Sequence, residues 1–471
     1  MTSTGQSMEL LTAVEKRIKD DNIKNIRFEF LDTNAVARSK TIPARHFKST
    51  ATSGILFPGF CFSWTARSDI PFESSIAKKY HCSDLVFLPD LSTFEVLPWT
   101  PNTARVFVSV SDISDGDKAL IDPRNVARAQ LEKLKDRDLS IFSSFEYEFW
   151  VVDEENRKPI IDGVDCYATI RLAKHQAFFD KVAENLSQAG VDIECVETEY
   201  AKGQFELVIC PTFGIRAADN AATFRTGVKE MAMQNGFVAS FMSKPYPEEE
   251  GSSGHFNHSL RSFRLHDADC LLWSLDGKTP KTGDPSRPYG LSEIGEHWIA
   301  GLLEHAPALS FLQSPTVNCR DRVKPDTFAP FNATWGVDNR SCAVRLKPVG
   351  AHGIYMENRM GSSAGNPYIS LAATIAAGID GIERKLPLPP PVPTNKPSHI
   401  AENVPPDTAL LPADMEAAFQ ALKKDEILVS AIGADLVDAL ESVRRLKMTT
   451  FAADSDVEKF ELHRRMYFDY V

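Results

Sequence analysis

The chain has 471 residues, of which 43% are hydrophobic and 25% charged, the composition of a folded globular protein, which excludes extensive disorder. This length exceeds one ordinary hydrophobic core, so two or three packed units are expected. A formal charge of -12 and a pI near 5.5, without a stripe of Lys and Arg, argue against nucleic acid as a partner.

The first 20 residues, the hydropathy of the chain and the spacing of its cysteines predict a cytosolic protein. Residues 1–20 are polar and charged, with no apolar signal core, and no window approaches the ~18 apolar residues that a membrane span requires. The eight cysteines are scattered and include no C-x-x-C pair, which predicts reduced thiols. We therefore expect cytoplasmic localisation and no membrane partner.

The first third of the chain predicts a small β-rich domain. After an N-terminal extension, 1–24, the pattern at 25–47 predicts a hairpin, with Thr33 and Asn34 in its turn. Extended stretches follow at 85–99 and from Val106 onward. The sequence thus predicts a domain at 25–115.

The remainder, 116–471, predicts a larger α+β domain. Asp122 and Pro123 are typical of a helix start, because Asp caps free amides and Pro suits the first helical position. Strands and helices then alternate, including a helix that Gly190 closes and the strand VDIECVE after it. Asn366 and Pro367 open another helix, which ends before a proline-rich strap at 385–407, and a helical tail follows at 414–471.

Four short motifs place acidic and histidine side chains on strands or beside them. In FSSFEYEFWVV, alternation puts Glu146 and Glu148 on one face of a strand. In ETEYAKGQFELVI, Glu199 and Glu206 flank a turn. Each pair alone fits a solvated surface as well as a site.

The other two motifs supply a histidine strand and an acidic-basic pair. GSSGHFNHSL places His255, Asn257 and Ser259 on one face of a strand after a Gly/Ser-rich loop. IYMENRMGSSAGNPY places Glu357 beside Arg359. Read alone, the histidine fits a structural residue and the Glu-Arg pair a surface ion pair.

Together the motifs predict phosphoryl-transfer chemistry. Five glutamates and one histidine suit two divalent cations, because Mg²⁺ and Mn²⁺ take oxygen donors and tolerate an imidazole. Arginines complete the set: NCRDRVKP supplies Arg322, and WGVDNRSCAVRLKP supplies Arg340 and Arg345. Their forked guanidinium groups bind carboxylate and phosphate oxygens, although structural salt bridges remain the alternative.

The motifs and their order resemble the glutamine synthetase family from residue 25 to the C-terminal tail. The resemblance implies an N-terminal β-grasp domain, a catalytic domain with an antiparallel sheet flanked by helices, and stacked rings forming a dodecamer in which each β-grasp domain completes a neighbouring site. It also implies two sites for Mg²⁺ or Mn²⁺. The implied ligands are Glu148, Glu199 and Glu206 for one ion, and Glu146, His255 and Glu357 for the other.

The same resemblance implies roles for the remaining residues. Gly251 lies in the loop that holds the amino-acid substrate, and Arg322 and Arg359 bind its carboxylates. Asn257 and Ser259 hold the nucleotide base, and the catalytic arginines Arg340 and Arg345 bind phosphate groups. The implied reaction uses ATP to convert the γ-carboxylate of a glutamate-like substrate into an acyl phosphate, which ammonia or another amine attacks.

Three positions depart from the family pattern. Phe72 stands where an aspartate receives ammonium, with Glu73 and Asp69 as the nearby carboxylates, and Phe328 stands where a flap glutamate closes over the intermediate. Tyr355 stands where an arginine touches ATP phosphates. These changes resemble the branch containing lengsin, which is regarded as inactive, and the γ-glutamyl-polyamine ligases.

Two readings therefore stay open. Retention of six metal-ligand positions favours an ATP-dependent carboxylate–amine ligase. The three departures favour a catalytically inactive, oligomeric scaffold of lengsin type. Another phosphotransferase family is disfavoured, because neither a P-loop nor a kinase-type Gly-rich loop is present.

Overall fold

The computed structural model describes residues 4–81, 83–111, 120–163, 166–263, 291–323, 327–348, 354–450 and 455–471. Within these ranges the chain forms two β-sheets, each packed on its own hydrophobic cluster. The predicted domain boundary near residue 115 lies outside the described residues, so it stays a prediction.

The N-terminal sheet has six strands. They are β1 (Asn25–Leu31), β2 (Ala37–Pro43), β3 (Ile55–Pro58), β4 (Asp84–Pro89), β5 (Glu95–Val96) and β6 (Thr103–Ser111). The order is β2-β1-β6-β4-β3, with β5 added to β6, and β1 pairs in parallel with β6. β1 and β2 form the predicted hairpin, whose turn is fixed where Asp32 accepts a hydrogen bond from the Asn34 amide at 2.8 Å.

The larger sheet has nine strands in the order β13-β14-β15-β12-β7-β9-β8, with β10 and β11 also paired to β7. Its pairs are antiparallel except β13–β14, which is parallel. The strands are β7 (Leu139–Asp153), β8 (Ile193–Thr198), β9 (Gln204–Ile209), β10 (Thr212–Phe213), β11 (Phe237–Ser240), β12 (Gly254–Ser262), β13 (Trp335–Val337), β14 (Val344–Pro348) and β15 (Ile354–Asn358).

Helices flank this sheet and form the tail. They are α1 (Thr4–Asp20), α2 (Phe47–Ser53), α3 (Ser75–Tyr80), α4 (Pro123–Lys135), α5 (Thr169–Ala173), α6 (Gln176–Gln188), α7 (Ile215–Met233), α8 (Glu293–Glu304), α9 (Ala306–Gln313), α10 (Pro367–Arg384), α11 (Met415–Lys424), α12 (Glu426–Ile432), α13 (Ala434–Thr450) and α14 (Asp456–Tyr467). The predicted starts at Asp122 and Asn366 are confirmed, since each side chain accepts amide hydrogen bonds from its helix.

The core between helices and sheet centres on α10. Its packing against α8 is close: a Cβ added at Gly378 would lie 2.2 Å from the Trp298 ring. Trp298 in turn donates a hydrogen bond of 3.0 Å from Nε1 to Nε2 of His258 on β12. The helices are thereby joined to the strand that carries His255 on its opposite face.

The proline-rich strap lies along β13, the edge strand of the larger sheet. Its carbonyl groups accept hydrogen bonds from side chains, including Trp335 Nε1 to Pro389 at 2.7 Å and Asn339 Nδ2 to Pro393 at 2.9 Å. The Val392 amide donates to the Trp335 carbonyl at 2.9 Å. These hydrogen bonds attach the segment to the edge of the sheet.

Six cysteines lie within the described residues, and all six are free thiols. Cys82 and Cys270 lie outside the described residues. Among the described helices, none combines the length and the apolar character needed to cross a bilayer.

His258 makes the stability of the fold pH-dependent. Burial lowers the pKa of its imidazole from 6.5 to about 4. Below pH 6.5 the unfolded chain therefore binds a proton that the folded chain excludes, and the free energy of unfolding falls by about 2 kcal/mol by about pH 5. Between about pH 7.5 and about pH 5, the melting temperature of His258→Gln should fall by less than that of the wild type.

The control is His46→Gln, because His46 is exposed. It should keep the wild-type dependence of melting temperature on pH. An equal drop in wild type and His258→Gln would show that His258 does not carry this effect.

Candidate active site

Strand alternation and cross-strand register gather the acidic motifs on the sheet face opposite the helices. Glu146 lies opposite His255 on β12, and Glu148 lies opposite Glu206 on β9. Glu357 on β15 lies opposite Asn257 on β12. Residues more than 200 positions apart in sequence thus share one surface because their strands pair in this register.

The first group, trio one, consists of Glu146, His255 and Glu357, whose ligand-type atoms lie within 4.8 Å of one another. His255 Nδ1 lies 2.9 Å from Glu146 Oε1 and 3.3 Å from Glu357 Oε1. Asn257 donates to Glu146 Oε2 at 3.0 Å. The imidazole therefore lies between two carboxylates.

Arginines neutralise trio one. Arg345 donates from Nη1 to Glu357 Oε2 at 3.0 Å, and Arg359 donates to the other oxygen. Burial alone would raise the pKa of Glu357, but Arg359 and His255 outweigh it and lower the pKa. The reading of Glu357–Arg359 as a surface ion pair is wrong, because Glu357 is 1% exposed.

The second group, trio two, consists of Glu148, Glu199 and Glu206, also within 4.8 Å of one another. Its direct hydrogen-bond donors are neutral: the Ser253 amide and Gln204 Nε2 lie 2.9 Å and 3.3 Å from Glu148 Oε2. No lysine or arginine among the described residues forms an ion pair with these carboxylates. Trio two is therefore a concentration of negative charge.

This crowding changes the acidity of trio two. Burial, followed by the charge of Glu148, raises the pKa of Glu199, and burial with Glu146 and Glu148 raises the pKa of Glu206. Three partly buried carboxylates held close together are costly unless they bind protons or a cation. The donor chemistry of both trios fits a hard divalent cation.

A cavity of about 470 Å³ opens onto all three members of trio two and onto Glu146 and His255 of trio one. Its polar walls include Arg322, Arg340 and Arg359 beside the carboxylates. Its lining residues are Glu146, Glu148, Tyr167, Glu199, Tyr200, Gln204, Glu206, Glu250, Gly251, Ser253, His255, Arg322, Thr327, Phe328, Ala329, Arg340 and Arg359. The arrangement can hold cations and anions side by side, as phosphoryl transfer requires.

Glu357 and three further predicted residues are not among the described residues that line this cavity. Arg345 is held by Glu357 and by Asp338, to which its Nε donates at 3.1 Å. Asn257 is bonded to Glu146, and Ser259 is buried farther along β12. Their predicted contacts with a nucleotide stay predictions.

The three departures from the family pattern lie in different places. Phe328 lines the cavity, and its carbonyl accepts a hydrogen bond from Arg359 at 3.4 Å. Phe72 is 71% exposed and is not among the cavity residues described. Tyr355 is half-buried on β15, beneath the ammonium group of Lys347.

Sequence reasoning missed several lining residues. Gln204 and Ser253 lie inside two of the four motifs, so their hydrogen bonds to Glu148 could have been sought there. Tyr200 also lies inside the second motif, directly after Glu199, whereas Tyr167 lies in a loop that no periodic pattern marks. Only the fold brings Tyr167 to the cavity.

Comparison with known proteins agrees with this geometry. The family profile described as glutamine synthetase, catalytic domain, matches residues 120–464. Lengsin of Rattus norvegicus is 33% identical over 464 residues, covering 96% of this chain and 78% of the relative. The glutamate–methylamine ligase of Methyloversatilis universalis is 31% identical over 433 residues, covering 88% and 90% respectively.

A solved structure described as a GmaS/ADP complex superimposes with a TM-score of 0.80 at 25% identity, covering 96% of this chain and 98% of the other. The predicted fold class is thereby confirmed. From its catalytic-domain profile, its relatives and its fold, the chain belongs to the glutamine synthetase family.

Proposed function

We propose that the protein is an ATP-dependent ligase that joins the γ-carboxylate of glutamate, or of a glutamate-like acid, to an amine larger than ammonia. The observation that carries this proposal is that one cavity is lined by all of trio two, by Glu146 and His255 of trio one, and by three arginines. Relatives named glutamate–methylamine ligase and glutamate–isopropylamine ligase support the substrate class.

The two trios would hold two ions of Mg²⁺ or Mn²⁺. The ions and ATP, when bound, supply the phosphoryl group that activates the γ-carboxylate and the positive charge that neutralises its oxygens. Trio one is preorganised by Arg345 and Arg359, whereas trio two has no internal counter-charge. We therefore assign the greater electrostatic gain from cation binding to trio two.

The arginines would orient the acid substrate and the phosphate groups. Arg322 and Arg359 lie side by side, with Arg322 Nη2 donating to the Arg359 carbonyl at 3.1 Å, and both face the cavity. A Cβ at Gly251 would lie 2.5 Å from Cβ of Arg322, so glycine is required where this loop passes. Arg340 is exposed at the rim, where its guanidinium is free to meet a phosphate.

An aromatic rim supports an amine with an apolar substituent. Tyr167, Tyr200 and Phe328 line the cavity and are 58%, 49% and 60% exposed. Phe328 stands where ammonia-using members carry a flap glutamate. Exposed rings cannot replace the carboxylate that receives ammonium, but they can bury an alkyl or aryl group.

The second candidate is a non-catalytic scaffold of lengsin type. It is favoured by Tyr355, which removes a family arginine, and by 33% identity to a protein named lengsin. This candidate requires no turnover with any amine.

An amine panel separates the two candidates. With ATP, Mg²⁺ and glutamate, phosphate release should be faster with isopropylamine or benzylamine than with ammonium. Phe328→Ala should lower kcat/KM for the larger amines by about tenfold, because one apolar contact is worth about 1–3 kcal/mol. The measurement is steady-state phosphate release at varied amine concentration.

The matched control is Ile170→Ala, which removes an exposed apolar side chain that does not line this cavity. It should leave kcat/KM unchanged. Absence of phosphate release with every amine would contradict the ligase and favour the scaffold.

Metal binding tests trio two. Glu206→Gln removes one carboxylate while keeping its volume, and should weaken binding of one of two Mn²⁺ ions by about tenfold or more. Titration by electron paramagnetic resonance or calorimetry would measure the number and affinity of bound ions.

The matched control is Glu250→Gln, at a cavity-lining glutamate that is in neither trio. It should bind two ions as the wild type does. If Glu206→Gln also bound two ions with unchanged affinity, the assignment of trio two would be refuted.

A further inference from the structure

Position 355 carries a tyrosine instead of the arginine of the family, and a lysine on the neighbouring strand lies directly beside it. In the antiparallel pair β14–β15, Lys347 lies directly opposite Tyr355, and Arg345 lies directly opposite Glu357. The Nζ atom of Lys347 lies 5.0 Å from the centroid of the Tyr355 ring. The missing positive charge is therefore restored on the adjacent strand.

Alternation along both strands sets the direction of Lys347. Because Arg345 and Lys347 are two residues apart, they share a face of β14, and Tyr355 and Glu357 share the corresponding face of β15. Arg345 reaches Glu357 at 3.0 Å on this face. Lys347 therefore lies at the edge of trio one.

The ammonium group remains available to an anion. Among the described residues, Lys347 makes no ion pair, and its ammonium group interacts with the ring and the hydroxyl group of Tyr355. The Lys347 side chain is half-buried, as expected for a lysine whose apolar stem packs against the protein.

Electrostatics selects the class of ligand. A divalent cation in trio one would repel the Lys347 ammonium unless an anion lay between them. A phosphate oxygen can contact a cation on one side and accept a hydrogen bond from an ammonium group on the other. A carboxylate could do the same, but Arg322 and Arg359 already offer forked donors for that group on the cavity side.

We infer that Lys347, supported by the Tyr355 ring, binds a phosphate group of the nucleotide at the edge of trio one. This inference rests on the proposed function, since it needs a nucleotide in the site. Tyr355 then serves as a positioning residue: its ring face holds the ammonium group in place. The positive charge that the family carries at position 355 on β15 is then supplied by Lys347 on β14.

The test is binding of a non-hydrolysable ATP analogue in the presence of Mg²⁺, measured by calorimetry. Lys347→Met keeps the length of the side chain and removes its charge, and should weaken binding by about tenfold or more. Lys347→Arg should bind within about threefold of the wild type, because it keeps a phosphate-binding cation. The apparent KM for glutamate should change little in either variant.

Lys423→Met is the matched control, because Lys423 is a half-exposed lysine on α11 far from this strand. Unchanged affinity in Lys347→Met, or equal losses in Lys347→Met and Lys347→Arg, would overturn the inference alone. Failure of the wild type to bind the analogue would overturn the proposed function together with it. Melting temperatures of both variants close to that of the wild type would separate lost binding from lost folding.

Discussion

The pleat of β7 is the constraint on which the rest of the structure depends. One face of this strand carries Glu146 and Glu148, and the other carries Tyr147 and Phe149, which pack in the core. Tyr147 stacks on Phe224 of α7 with ring centroids 5.7 Å apart. A shift of β7 by one residue would point both carboxylates into this aromatic core. The packing of Tyr147 and Phe149 therefore fixes the register of the face that carries Glu146 and Glu148.

The two acidic groups share a sheet but differ in what compensates their charge. In trio one, Arg345 and Arg359 bind the Glu357 carboxylate directly. In trio two, Ser253 and Gln204 offer only neutral donors. Under the proposed function, the chain itself orders one half of the site, and the other half reaches its lowest free energy only with a cation present.

Much of the fold could be predicted from local signals, because the hairpin turn, the helix caps at Asp122 and Asn366, and the alternation in β7 each depend on residues close in sequence. The grouping of the glutamates came from a resemblance, and the structure brings those same side chains together. The sequence does not predict which residues of different strands lie next to each other in the sheet. The place of Lys347 opposite Tyr355, and of Tyr167 at the cavity, depends on pairing and loop paths that no local pattern encodes.

The strap along β13 also affects how copies of the chain can meet. An uncovered edge strand offers unpaired amides and carbonyls to any other strand, which invites uncontrolled extension of the sheet. Here the Val392 amide donates a hydrogen bond to the Trp335 carbonyl. The neighbouring prolines have no amide hydrogen, so they cannot donate the hydrogen bonds that a further strand would need. The β13 edge is therefore closed by the same chain, and it is not open to strand pairing with another copy.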